Sequence, residues 1–164
     1  MTGLDFSPYS SLSREKILHQ VRSQMSQRRF DHCLRVEKKI MELATLYGVD
    51  VTKASLAALI HDYAKERPLQ ELVVKKQLSE QLKNQSSEIL HGPVGAEILK
   101  DELEIQDEEI LDAIREHTIG GTKMTLLSKC LFVADAIEDG RNYPGVEEAR
   151  QIASHNIDEA VRYL

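Results

Sequence analysis

Tryptophan is absent from this 164-residue sequence, and phenylalanine and tyrosine contribute only 3 and 5 residues, so no aromatic platform for stacking nucleobases is evident. Cysteine is almost absent as well. Cys33 and Cys130 stand alone, each in a stretch patterned as helix, which excludes a disulfide framework and a zinc knuckle and implies two reduced thiols. No run approaches the roughly 18 apolar residues of a membrane span, and Met1-Thr2-Gly3-Leu4-Asp5 is not the basic-then-apolar start of a secretory signal. The expectation is a soluble, cytoplasmic protein. Basic charge is in the minority, with 21 Lys and Arg against 27 Asp and Glu, a formal net charge of -6. That balance excludes a generally basic surface for nucleic-acid polymers, and any polyanionic ligand needs a local positive patch.

Two-residue alternation over a strand length is also missing, whereas apolar residues recur at intervals of three and four almost everywhere, so the expected class is all-α. The length suits one domain able to bury about two thirds of the surface its unfolded chain exposes. Residues 1–164 therefore read as a single domain, with an N-terminal tail over about 1–11 and a core over about 12–164. Helices are expected over 12–25, over 30–47 with Gly48 as a left-handed C-terminal cap, and over 53–64 after Asp50 or Thr52. Pro68 stops the third helix or opens the next. The polar stretch 75–87 reads as the most variable. Pro93 suits a helix start, Asp107 caps another, Gly120-Gly121 breaks the chain before 124–138, and a shorter helical pair follows.

Several polar side chains fall on the inner faces of these helices. His32 shares a face with Val36, Ile40 and Leu43; His61 continues the face of Ala54, Ala57 and Ala58; His117 lies on the stripe of Ile110 and Ile114, and Asp135 on that of Leu127 and Leu131. One inward histidine is ordinarily a hydrogen-bonded core residue. Several, with Asp62 and Asp135 among them, point to charge compensation, because an unpartnered buried carboxylate costs several kcal/mol and a divalent cation held with imidazoles supplies the missing charge. His91, just before Gly92-Pro93, reads either as a turn residue or as a further ligand. Arg29, Lys65 and Arg141 stand near these positions and are candidates for binding phosphate, with Thr118 and Gly92 as weaker ones. Arg28, Arg35, Lys38 and Lys39 read as solvated surface, and so do His19 and His155.

The order His32, His61-Asp62, His91, His117, Asp135 resembles the two-metal form of the HD-domain superfamily of metal-dependent phosphohydrolases, whose doublet here is Leu59-Ile60-His61-Asp62. The likeness extends to the YqeK-like branch, similar to symmetrical diadenosine tetraphosphate hydrolases. It is carried by Arg29-Phe30-Asp31-His32, His61-Asp62-Tyr63-Ala64-Lys65, His91-Gly92-Pro93-Val94-Gly95-Ala96, Glu116-His117-Thr118, Phe132-Val133-Ala134-Asp135, and Gly140-Arg141 with Tyr143-Pro144-Gly145-Val146. The likeness covers about residues 12–164; the stretch 119–122 departs from it, and it implies further residues beyond Leu164.

What the resemblance implies is a single compact HD-domain helical bundle with a buried metal centre. His32, His61, Asp62 and Asp135 would hold one ion, and Asp62 would bridge to a second held by His91 and His117. Two iron ions are what the resemblance implies, while imidazole and carboxylate ligands without thiolate equally suit manganese. Asp62, His91 and His117 become the catalytic candidates, and His91 and His117 join Arg29, Lys65 and Arg141 as substrate-binding ones. The implied substrate is a dinucleoside polyphosphate, chiefly diadenosine tetraphosphate, and the product ADP. Alternatives are the same centre acting on nucleoside mono- or triphosphates or guanosine tetraphosphate, or a metal-stabilised module that senses nucleotide without cleaving it. A homo-oligomer is compatible with the sequence.

Overall fold

A computed structural model describes residues 4–164; the first three residues of the expected N-terminal tail lie outside the described residues. The described chain is nine α-helices and one 3-10 turn at Glu80–Leu82, with no strand among the described residues. The helices are α1 (Arg14–Ser23), α2 (Gln27–Tyr47), α3 (Val51–Ile60), α4 (Leu69–Lys75), α5 (Ser87–Glu102), α6 (Glu108–Glu116), α7 (Leu126–Ile137), α8 (Val146–Ala153) and α9 (Ile157–Tyr163).

Local chemistry sets their ends. Side-chain oxygens of Ser13, Ser26, Asp50, Asp107 and Thr125 each accept from a backbone N–H in the first turn of the following helix, supplying partners that the helix itself lacks. Gly48 ends α2 at φ 76°, as its sequence position predicts. Helix α3 is buried from Ala54 to Ile60 on every side, as a helix that is apolar all round must be. It is packed by α2, α6 and α7, while α5 lies against α4 and α6, and α8 and α9 close over α7. The polar candidates therefore converge where α2, α3, α5, α6 and α7 meet.

Two expectations are corrected. Helix α5 begins at Ser87, and Pro93 lies inside it rather than at its start. Pro93 has no N–H to donate one turn back, a cost that the buried residues Leu90, His91, Val94, Ile98 and Leu99 outweigh. His91 is thus a helical residue on an inner face and not a turn residue. The segment ahead of α1 also departs from a free tail: Phe6 is 1% exposed, and Ser10 Oγ donates to the Leu103 carbonyl at 2.7 Å.

Arg14 closes this N-terminal layer. Its guanidinium stands over the Phe6 ring and donates twice to the buried Glu37 carboxylate, at 2.7 and 3.2 Å, and Ser55 Oγ donates to the same group. Glu37→Ala strands a nearly buried guanidinium and should lower the unfolding free energy by about 3 kcal/mol. Urea denaturation followed by circular dichroism measures it, and a loss below about 1 kcal/mol would show that water replaces the carboxylate.

Candidate metal centre

His32 lies in the second turn of α2, His61 and His117 cap the C-terminal ends of α3 and α6, and His91 lies within α5. All four are buried, Asp62 is 3% exposed, and Asp135 on α7 is partly exposed. Asp62 leaves α3 in a tight turn that is locked by its neighbour. Tyr63 is fully buried, its hydroxyl donating to Glu102 at 2.6 Å and accepting from Gln20 at 3.0 Å, while Arg67 binds both oxygens of Glu102.

The two Asp62 oxygens face different histidine pairs. Oδ2 lies 3.5 Å from His32 Nε2 and 3.4 Å from His61 Nε2, whereas Oδ1 lies 3.5 Å from His91 Nε2 and 3.4 Å from His117 Nε2. Asp135 Oδ1 joins the first pair, 2.9 Å from His32 Nε2 and 3.5 Å from His61 Nε2. The groups are contiguous, because His61, His117 and Asp135 also present ligand atoms within 4.8 Å of one another.

Each imidazole is turned with Nε2 inward. Nδ1 donates to the main-chain carbonyl of Ala58 in His61 (2.7 Å), of Ser87 in His91 (3.1 Å) and of Ile114 in His117 (2.7 Å). A carbonyl only accepts, so the hydrogen sits on Nδ1 and the neutral ring offers a lone pair at Nε2. Two consequences mark a site for a cation. His61 Nε2 is buried with no hydrogen-bond partner among the described residues, and the Nε2 atoms of His91 and His117 face each other at 2.9 Å, an arrangement of opposed lone pairs that positive charge between or beside them relieves. The electrostatics of the cluster point the same way, because its carboxylates favour positive charge among the rings. Burial pushes the Asp62 carboxyl up, but His61, His117 and His91 outweigh it and hold the group well below the usual carboxylate range. Asp135 is likewise lowered, burial being overcome by His32 and His61, and His61 is raised against its own burial by Asp62 and Asp135. Anionic oxygens and inward lone pairs without thiolate fit a divalent ion bound by nitrogen and oxygen.

The three expected cations line one cavity of about 280 Å³ with Asp62, Glu88, His91, Thr118 and Asp135. Arg29 donates to Asp62 Oδ2 at 2.9 Å, Lys65 to Glu88 at 2.5 Å, and Arg141 to the Asp135 carbonyl at 3.0 Å and carboxylate at 3.3 Å. Arg150 fixes that last turn, binding the Glu138 and Arg141 carbonyls at 2.9 and 3.0 Å. Thr118 Oγ1 is 3.3 Å from His91 Nε2. Gly92, by contrast, is buried inside α5 against α6 and does not line the cavity, so its backbone N–H is not a phosphate donor.

Other participants were not visible in the sequence pattern. Glu138 receives His32 Nδ1, and Arg35, expected to be solvated, binds Glu138. Glu88 sits one turn before His91, a relation hidden while α5 was expected to begin at Pro93. Phe132 and Tyr143 line an adjoining cavity of about 360 Å³ that shares Thr118, Asp135 and Arg141 with the first, so aromatic surface does stand beside the charged cavity despite the low aromatic content. His19 and His155 are exposed, as expected. A larger open groove of about 630 Å³, along α1, shares no residue with the centre.

The HD domain family model matches residues 29–140, a span that includes every expected metal ligand from His32 to Asp135. The chain belongs to the HD-domain family. This HD-domain chain is 41% identical over 153 residues to the symmetrical bis(5'-nucleosyl)-tetraphosphatase of Bacillus subtilis, covering 92% of this chain and 82% of that protein. It is 40% identical over 142 residues to the protein of that name from Staphylococcus aureus, covering 85% and 73%. Among solved structures it resembles that of a predicted HD superfamily hydrolase involved in NAD metabolism from Clostridium acetobutylicum, with a TM-score of 0.86, 33% identity and coverage of 92% and 82%. Membership of the HD-domain family carries divalent-metal binding, and the imidazole and carboxylate cluster is a donor set for it. No helix among the described residues is long and apolar enough to cross a membrane.

Proposed function

We propose that this chain, as one HD domain over residues 1–164, hydrolyses dinucleoside tetraphosphates at the central anhydride, turning diadenosine tetraphosphate and water into two ADP in the cytoplasm. The observation that carries the reading is Asp62, whose two oxygens each face a separate histidine pair at the floor of a cavity lined by Arg29, Lys65 and Arg141. The relatives named as symmetrical tetraphosphatases supply the substrate class. His32, His61, Asp62 Oδ2 and Asp135 would hold one ion, and Asp62 Oδ1, His91 and His117 a second; iron is the ion we assign, with manganese suited to the same donors. When bound, such a pair of ions eases the ionisation of water and offsets charge on phosphoryl oxygens.

The protein's own part is positioning and electrostatics, which dominate phosphoryl transfer. Arg29 and Lys65 neutralise phosphate oxygens on entering the cavity, Lys65 exchanging its Glu88 partner for substrate. Arg141 belongs to both cavities, so a polyphosphate running between them passes its guanidinium. Phe132 and Tyr143 then offer apolar surface to a nucleoside. Removing one charge-assisted contact, as in Lys65→Met, should raise KM about tenfold while changing kcat little, since a charged hydrogen bond contributes about 1.5 to 3 kcal/mol. Chromatography of products from a nucleotide panel tests the whole reading. ADP as the sole nucleotide product is expected. Release of orthophosphate, pyrophosphate or tripolyphosphate would assign another substrate to the centre, and ADP binding without any cleavage would assign a sensor.

A further inference from the structure

His32 is held differently from the other three imidazoles. Theirs are oriented by carbonyls of their own helices, whereas His32 Nδ1 donates at 2.7 Å to Glu138 Oε2, a carboxylate just past the end of α7. Glu138 is 1% exposed and immobilised on every side. Its Oε1 accepts from Arg35 Nε at 2.9 Å and from the Gly140 backbone N–H, and its carbonyl accepts from Arg150 at 2.9 Å. The glycine leaves room for the same contact: a Cβ on Gly140 would lie 2.5 Å from Arg35 Nε and 2.8 Å from Glu138 Oε1, so those side chains would have to shift. The chain thus commits a buried carboxylate, a guanidinium and a glycine to one ring nitrogen.

We infer that Glu138 is a positioning residue for His32, and that it selectively strengthens the ion position formed by His32, His61, Asp62 and Asp135. This rests on the two-ion reading above. A carboxylate bound to Nδ1–H fixes the ring's tautomer and orientation and makes Nε2 a stronger donor than a neutral carbonyl does, and such outer partners are worth 10- to 100-fold in metal affinity. Nε2 is already aimed, 2.9 Å from Asp135 Oδ1 and 3.5 Å from Asp62 Oδ2. Among the described residues, His91 and His117 have main-chain carbonyls and no carboxylate at Nδ1.

The test is Mn²⁺ titration of metal-free protein followed by electron paramagnetic resonance, in two backgrounds. In His91→Ala, which keeps the His32 position, Glu138→Gln should weaken Mn²⁺ binding 10- to 100-fold. In Asp135→Ala, which keeps the His91 and His117 position, the same change should leave affinity within about twofold. Equal weakening in both backgrounds, or none in either, overturns the inference, because a merely structural carboxylate has no reason to discriminate between them. Glu138→Asp, which keeps the charge while shortening the reach to His32, gives the same comparison if the glutamine variant does not fold. Failure of the unsubstituted protein to take up two ions would instead count against the two-ion reading itself.

Discussion

Asp62→Ala is expected to lower turnover by more than about a thousandfold and to release bound metal from both positions at once. The reason is geometric. Among the described residues, Asp62 is the one whose two oxygens face both histidine pairs, at 3.4 to 3.5 Å in each direction, so its loss disconnects what the other ligands hold separately. Metal at such a centre is worth several kcal/mol of transition-state charge stabilisation, and each 1.36 kcal/mol is tenfold in rate. Asp62→Asn keeps the shape and removes the charge, and should fall nearly as far. Asp135→Ala should empty only the first position. Anaerobic metal analysis, product chromatography and a thermal melt on each variant separate loss of the centre from loss of the fold. Undiminished hydrolysis by a folded Asp62→Ala protein would end the proposed mechanism.

Gly92→Ala should be far more damaging than one added methyl group suggests. A Cβ at residue 92 would sit 2.9 Å from the Ile114 carbonyl oxygen and 3.0 Å from that of Arg115. These are backbone atoms at the end of α6 and cannot step aside, so α5 and α6 must separate. That separation pulls His91, on the preceding residue, away from His117, whose Nε2 it meets at 2.9 Å. A stability loss of about 1 to 3 kcal/mol is expected from the overpacking, together with loss of ion binding at the His91 and His117 position. Gly95→Ala, one turn along the same helix, is the control. Its Cβ would meet Ala64 Cβ at 3.5 Å and Ile114 Cγ2 at 3.7 Å, ordinary contact, and replacing a helical glycine by alanine then gains about 0.5 to 1 kcal/mol. Urea midpoints and Mn²⁺ titration of the two variants decide the matter; equal behaviour would show that the α5–α6 approach does not position His91.

The sequence by itself determined the class of the fold and the order of the polar positions. Helical periodicity is a local property, so nearly every helix was legible in it, and the caps at Asp50, Asp107 and Gly48 follow from side-chain and backbone chemistry within one turn. The start of α5 was not legible, because Pro93 is a strong local signal for a first turn and only the burial of Leu90, His91 and Val94 by other helices overrides it. The same holds across the centre. His32, His61, His91, His117 and the two aspartates could be named from residue type, inward face and resemblance. Which oxygen of Asp62 faces which pair, that Arg29, Lys65 and Arg141 share a cavity, and that Glu138 stands behind His32 were decided only by tertiary structure. Those facts depend on how α2, α3, α5, α6 and α7 cross, and crossing is fixed by packing between residues far apart in the chain, such as the close approach at Gly92, which no local pattern encodes.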